Sequence, residues 1–316
     1  MSYQPTVIDL SRVPAPAAIE ALDYEALQTG FLARFVAAWD AQRLADPTLP
    51  AWDVGGLETD PAVIAGEAWA YLRLLDRARV NDAVRAVLAP LASGFDLDNV
   101  AASANVERLV VREATAELPE ILESDAALLR RYLLSFDRPS AGSRGRCLYE
   151  AWSAWPSGFD EAGDPIGMGD AVVNGRAVHG RRGDTDVVIT GPAGRDPTDA
   201  ELAQVRAAVL ADTAYPEAIA LSVIRAARAE YTVALTIDVP PGPDASVIAA
   251  ESTARVRAAA DSRTLIGAEI PAGYLAGAAY GANVIKVRDD APVAIDPDPY
   301  TVPVCTAITV TPEVRA

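Results

Sequence analysis

The side chains best suited to chemistry are few and scattered. There is one histidine, His179, in a Gly/Arg-rich stretch. Without a second histidine there is no His-rich metal site, and neither HExxH nor a paired CxxC occurs. A Ser–His–Asp arrangement would have to use His179, and no G-x-S-x-G elbow accompanies it. Cys147 and Cys305 lie far apart and match no metal or redox spacing. They read as small buried residues of a protein folded in a reducing compartment. Asp96 and Asp98 have the spacing of paired carboxylates but stand where helix caps belong. The glycines of Gly163–Gly169 enclose Asp164 and abut Asp170, whose charges would repel a phosphate, and the stretch lacks Gly-Lys-Ser/Thr. Arg182-Gly183-Asp184 spells an adhesion tripeptide, which is too short to carry an assignment. The expectation is no catalytic residue, no cofactor and no metal, hence no enzyme.

Charge and composition narrow the remaining classes. The chain has 316 residues, with 44 acidic against 27 basic side chains and a net charge of −17. Nucleic-acid affinity comes largely from neutralising phosphates, so neither a nucleic acid nor an anionic membrane surface is an expected partner. Acidity keeps a free chain soluble and suits basic protein partners. The 51% apolar and 22% charged content is that of folded soluble protein. No apolar run is long enough to cross a bilayer. The N-terminal MSYQPTVIDLSRVPAPAA has no basic n-region and no apolar h-region, so it does not read as a secretory signal.

The elements that position these residues are organised around Leu57–Arg108. Asp60-Pro61 supplies an N-cap acceptor and a proline at the first helical position. A helix is expected from Ala62 to Ala89, roughly 42 Å at 1.5 Å per residue. Ile64, Ala68, Tyr71, Leu72 and Leu75 form one apolar stripe; Val80, Val84, Val87, Leu88 and Leu91 form a second, rotated roughly 140° from the first. The helix must either kink near Asp76–Arg79 or pack between two neighbours, either as a two-sided core helix or with one stripe left for another subunit. Arg73, Asp76, Arg77 and Arg79 are spaced for pairing along a solvated face. Gly94 reads as a C-terminal stop, and Asp96–Asn99 as the start of a short second helix.

Upstream, residues 1–20 are proline-rich and read as an extended arm. A helix over Asp23–Leu44 carries Leu27, Phe31, Phe35, Ala38 and Trp39 on one face, widened by Leu32 and Val36. The residues expected at a partner interface are Leu27, Phe31, Phe35, Ile64, Tyr71, Leu75, Val80, Val84, Val87 and Leu88.

Downstream, Ser124-Asp125 caps a helix carrying Leu128, Leu129, Tyr132, Leu133 and Phe136, and Arg138-Pro139 stops it. The stretch through Tyr149 and Trp152 has no clear type, residues 157–186 read as loop, and Val187–Thr190 as a buried strand. Thr198 and Glu201 form a capping box after Gly191-Pro192-Ala193-Gly194. Ile219, Leu221 and Val223 alternate, as do Tyr231, Val233, Leu235, Ile237 and Val239. Pro240–Pro243 is a break, followed by helices at Ala245–Ala260 and Pro271–Ala279 and strands at Val284–Val287 and Thr306–Thr311. The expected architecture is α+β: an elongated multidomain chain with a helical N-terminal unit (1–112), a mixed middle domain (113–194) and a C-terminal α+β domain (195–316) whose sheet is mostly antiparallel.

Three segments in this order resemble the baseplate J family. They are DPAVIAGEAWAY…RVNDAVRAVLAPLASGFDLDNVAA…VER, then PSAGSRGRCLY with the strand Asp186–Thr190, then GRDPTDAELAQVRAAVLADTAYP and the closing SRTLIGAEIPAGY…VIKVRDDAPVAIDPDPYTVPVCTAITV. Two features depart from the family pattern: Tyr215-Pro216 runs into Glu217-Ala218 where the family has Thr-Asp, and Ser157–Gly183 is longer. The resemblance implies a structural wedge protein of a contractile phage tail, an R-type pyocin or a related injection machine. It implies self-association within a wedge through the N-terminal helices, together with a small wedge protein of the tail protein I type. It further implies contacts with other wedge and spike-hub proteins, a ring closed by the C-terminal domains, and residence in a tail particle assembled in the bacterial cytoplasm. The other readings to be weighed are an acidic assembly chaperone or adaptor and a carboxylate-dependent hydrolase.

Overall fold

The computed structural model describes residues 14, 16–54, 57–214, 216, 218–242 and 244–315. Most of the proline-rich arm, residues 1–13 and 15, lies outside the described residues. The chain divides into two compact units, Asp9–Val100 and one comprising Ala101–Ala316.

The first unit contains α1 (Tyr24–Ala45), α2 (Pro61–Ala86) and the start of α3 (Gly94–Ala102). Both long helices begin where their caps require. Asp23 accepts from the Ala26 amide at 3.0 Å, and Asp60 from the Ala62 amide at 2.8 Å with Pro61 in the first turn. At the other end of α1, Asp46 accepts from both the hydroxyl and the amide of Thr48. Those bonds hold its carboxyl below the usual carboxylate range. α2 runs through Asp76–Arg79 without a break and ends at Ala86, shorter than expected. Gly94 does not stop it; at φ +53° Gly94 opens α3 instead. Asp96 and Asp98 accordingly lie inside the first turns of α3.

The second unit runs β1 (Val110–Arg112), β2 (Ile121–Leu122), α4 (Asp125–Ser135), α5 (Arg144–Ala154), β3 (Gly158–Phe159), β4 (Pro165–Ile166), β5 (Asp170–Asn174), α6 (Arg176–His179), β6 (Asp184–Thr190), α7 (Asp199–Val209), β7 (Ala220–Arg225), β8 (Ala227–Val239), α8 (Ala245–Asp261), α9 (Tyr274–Ala278), β9 (Lys286–Asp289) and β10 (Thr301–Val314). Its two larger sheets have the orders β5-β6-β7 and β10-β8-β9. Along β8 the expected apolar positions, Tyr231, Val233, Leu235, Ile237 and Val239, are all buried, and Thr236 between them is buried as well. α8 covers that face, with Val256 and Ala260 against Tyr231 to Leu235, and Ile248 and Ala249 against Ile237 and Val239. The capping box at the start of α7 is formed on both sides.

The α+β class is as expected, with three differences in detail. The stretch 157–186 is not a plain loop but holds β3, β4, β5, α6 and the first half of β6. Its strands are short and its glycines let backbones touch: a Cβ on Gly169 would lie 2.2 Å from the Gly191 carbonyl. Second, β10 pairs with β8 in parallel along its length, and only β9 is antiparallel to β8. The connection through α8 and α9 is long enough for the crossover that a parallel pair needs. Third, the division expected at Gly194 falls between β6 and β7, which are hydrogen-bonded neighbours in one sheet.

One polar cluster is built into the second unit. Glu123 and Arg131 are buried and joined at 2.6 Å. Glu123 also accepts from the Leu109 amide. Arg131 donates to the Glu107 carbonyl and to Ser153, and Arg108 donates to the Glu123 carbonyl and pairs with Asp125 at 2.7 Å. Burial pushes the Glu123 carboxyl up, against the pull of Arg131.

Candidate partner interface

Residue spacing fixes how α1 and α2 meet. Glu20 reaches Arg77 and Asn81, Gln28 reaches Glu67, and the Phe31 ring lies over Gly66, with Trp69 beside it at 5.5 Å between ring centroids. Positions rise along one partner as they fall along the other, so the two helices form an antiparallel hairpin. The α2 face turned to α1 carries Val63, Gly66 and Ala70, with half-buried Leu74 and Arg77 continuing to buried Asn81. Each follows the last by three or four residues, one helical stripe. Gly66 is what lets the helices approach: a Cβ there would come within 2.7 Å of the Phe31 ring. Aromatic side chains close the far end, with Phe35 stacked on Trp39 and edge-on to Trp52. Trp39 donates its indole N–H to the Pro50 carbonyl at 2.9 Å.

Beyond the start of α1 the chain continues along α2 as an extended segment. Asn81 donates to the Glu20 carbonyl at 2.8 Å and accepts from the Glu20 amide at 3.0 Å. The Glu20 carboxylate pairs with Arg77 at 2.6 Å. A buried asparagine thus holds the approach to α1 by completing one residue's backbone hydrogen bonds.

The stripe read first from the sequence is on the other side. Ile64, Tyr71, Leu72 and Leu75 are 52%, 56%, 61% and 47% exposed, and Ala68 between them is exposed too. At 100° per residue they span an arc of about 100°, centred roughly 150° from the Val63–Ala70 face. Val80 and Val87 are exposed on a flank, and Val84 and Leu88 are half-buried. Of the residues expected at a partner interface, Leu27 is buried, and Phe31 and Phe35 are half-buried inside the hairpin. They support α2 from behind. The exposed face belongs to Ile64, Tyr71 and Leu75, with Leu72 beside them. Sequence reading missed Gly66, Ala70 and Asn81 as the packing face because small and polar residues do not register as a hydrophobic stripe. Trp69, exposed at the margin, lay off both stripes.

Comparison with known protein families falls on the same segment. Residues 58–115 match the model of the baseplate J-like N-terminal domain. The chain is similar to baseplate protein J of Escherichia phage P2, 29% identical over 306 residues and covering 91% of each chain. The resemblance to the baseplate J family is established. The baseplate J-like match begins just before α2 and so contains the whole exposed stripe.

The groups that first invited a catalytic reading lie elsewhere and apart. His179 Nδ1 accepts from the Arg181 amide at 3.1 Å in the turn after α6. Both cysteines are free thiols. Cys147 is buried, its pKa pushed up to about 11 by burial, and Cys305 is half-buried with its thiol raised for the same reason. Among the described residues no three His, Cys, Asp or Glu side chains are grouped to hold a metal ion. No described helix is long and apolar enough to cross a membrane.

Proposed function

We propose that this chain is a structural wedge protein of a contractile-tail baseplate. The observation that carries the proposal is the apolar face of α2, which its own hairpin leaves open within the segment matched to the baseplate J-like domain. In this reading Ile64, Tyr71, Leu72 and Leu75 pack into a helical bundle with a second copy of the chain and a small wedge protein of the tail protein I type. Val80, Val84, Val87 and Leu88 extend that contact. The second unit contributes to a ring around the spike hub, and the trigger passes as a change between two packings of the same subunits, without covalent chemistry. The particle assembles in the host cytoplasm and the protein ends in its baseplate. The relative's printed name, baseplate protein J, supports this placement.

The test is electron microscopy of particles from the producing strain, labelled with an antibody against this chain. Label at the distal end of contractile tails is the expected result. Tails that assemble unlabelled while the protein stays in the soluble fraction would favour the acidic chaperone instead.

A further inference from the structure

A cleft of about 260 Å³ opens in the second unit between the first turns of α4, the β3–β4 hairpin and the turn at Gly191–Ala193. Arg130 stands in it. Its guanidinium carbon lies over the Trp152 ring, 4.1 Å from the centroid. No hydrogen bond or ion pair occupies its donors among the described residues, in contrast with Arg131 one position on, which is fully engaged with Glu123, Glu107 and Ser153. The nearest carboxylate by electrostatic effect, Asp170, is already committed to the amides of Ala171 and Ile266. Arg130 as a whole stays exposed at the edge of the cleft, and partial burial among its neighbours lowers its pKa from the ordinary arginine value. A charged fork fixed on an aromatic plane, with its donors free, is built to receive a planar carboxylate by two parallel bonds.

The cleft does not end at Arg130. A second opening of about 490 Å³ shares Pro165, Ile166, Pro192 and Ala193 with it. Those shared residues offer apolar surface and, at the prolines, no amide donor. Ala193 holds φ +51°, a left-handed conformation that a residue with a Cβ rarely adopts. At the far end Arg195 is neutralised by a two-bond pair with Glu201, at 2.8 and 3.1 Å. The first opening therefore has one charged side chain, Arg130, and an apolar path leads from it to the second, where the Asp164 carboxylate also stands.

We infer that this groove binds an extended peptide segment of a partner protein, with an Asp or Glu side chain on Arg130 and apolar residues lying over Pro165–Ile166 and Pro192–Ala193. The site is independent of the α2 face and of the baseplate reading. An NMR titration of the full chain tests it, following arginine Nε–H resonances with the probe acetyl-Gly-Glu-Val-Ile-Ala-amide and its Gln counterpart. The expected result is a saturable shift of one resonance, which disappears in Arg130→Gln, with the Gln peptide at least about tenfold weaker. Arg130→Lys, which keeps the charge but not the fork, retains weakened binding, and unchanged spectra elsewhere show that the variants fold. Equal binding of the two peptides, affinity unchanged in Arg130→Gln, or no saturable shift would overturn the assignment. So would inorganic phosphate displacing the peptide at equal concentration, because the groove would then be a free-anion site.

Discussion

The two units handle apolar surface in opposite ways. In Ala101–Ala316 the core-facing apolar side chains of β6, β8 and α8 are sealed: Val187, Val188, Ile189, Leu235, Ile237 and Val256 are all essentially without solvent contact. That unit is closed enough to hold an ion pair, Glu123 with Arg131, away from water. In Asp9–Val100 the buried apolar residues described are only Leu27, Val63, Ala70 and Leu97. The same segment leaves Ile64, Trp69, Tyr71, Leu72, Leu75, Val80 and Val87 in water. Scattered exposed leucines are ordinary, but a contiguous apolar strip along one helix marks an interaction surface. The difference separates a part that seals its own core from a part that leaves an apolar strip open.

The largest expected effect comes from opening the closed unit at its ion pair. Arg131→Met should destabilise by about 3–5 kcal/mol, since it strands a buried carboxylate. The pH dependence has a definite sign. Burial raises the Glu123 carboxyl above its ordinary 4.5. A raised acid favours the protonated folded state, so its contribution is fully present below the unfolded value and lost as pH rises through the folded one. Removing the Arg131 cation raises that value further, so the defect should be deepest at neutral pH and shrink in acid. Urea denaturation from pH 4 to pH 8 measures this, and Glu123→Gln combined with Arg131→Met should recover part of the loss. A defect that does not change with pH would mean that packing of the arginine stem, and not the stranded charge, is what matters.

Next in size is a matched pair of truncations. Ile237→Ala in β8 should cost about 2–5 kcal/mol, as large-to-small changes in sealed cores do. Ile64→Ala on α2 should stay within about 0.5 kcal/mol on the free chain, as surface changes do. If thermal unfolding shows the two to be equal, the contrast between the units is wrong.

What could be read ahead of the structure was what is local. Asp60-Pro61, Ser124 and the Thr198–Glu201 box are each settled within a single turn, and the Tyr231–Val239 alternation within a single strand. The parallel register of β10 on β8 depends on residues separated by a whole crossover, which no window contains. The side of α2 taken by α1 was hidden for a different reason. Both sides are apolar enough to be buried, and the one chosen is marked by a missing side chain at Gly66 and a polar one at Asn81. The exposed stripe was legible as a stripe, while its direction depended on that choice. Arg130 gave no signal at all, because adjacent arginines look alike until one is found paired and the other open.

Gly66→Val sharpens the comparison from inside the hairpin. The new side chain meets the Phe31 ring, and overpacking of this kind costs about 1–3 kcal/mol. Because α1 would be pushed off α2, hydrogen exchange should rise over Tyr24–Ala45 while β8 stays protected. Asn81→Ala should cost about 1–2 kcal/mol, the value of the bonds it shares with Glu20. Its exchange should increase around Glu20 and leave the Phe31–Trp69 contact intact.

The smallest effect on the free chain is also the most informative. Leu72→Gln together with Leu75→Gln replaces two exposed apolar side chains on the open face of α2. Nothing inside the chain loses a buried contact, so free-chain stability should change by no more than about 0.5 kcal/mol. Incorporation into particles should nevertheless collapse, because central apolar anchors of an interface commonly contribute about 2 kcal/mol or more each. Quantitative mass spectrometry of purified tails, set beside the melting curve of the isolated variant, reads both outcomes. A stable chain that no longer enters the particle places the missing part of this unit's core in its partners. A variant that is stable and still incorporated would show that the strip on α2 stays in water, and the interface would then have to lie on the Val80–Val87 flank or in the second unit.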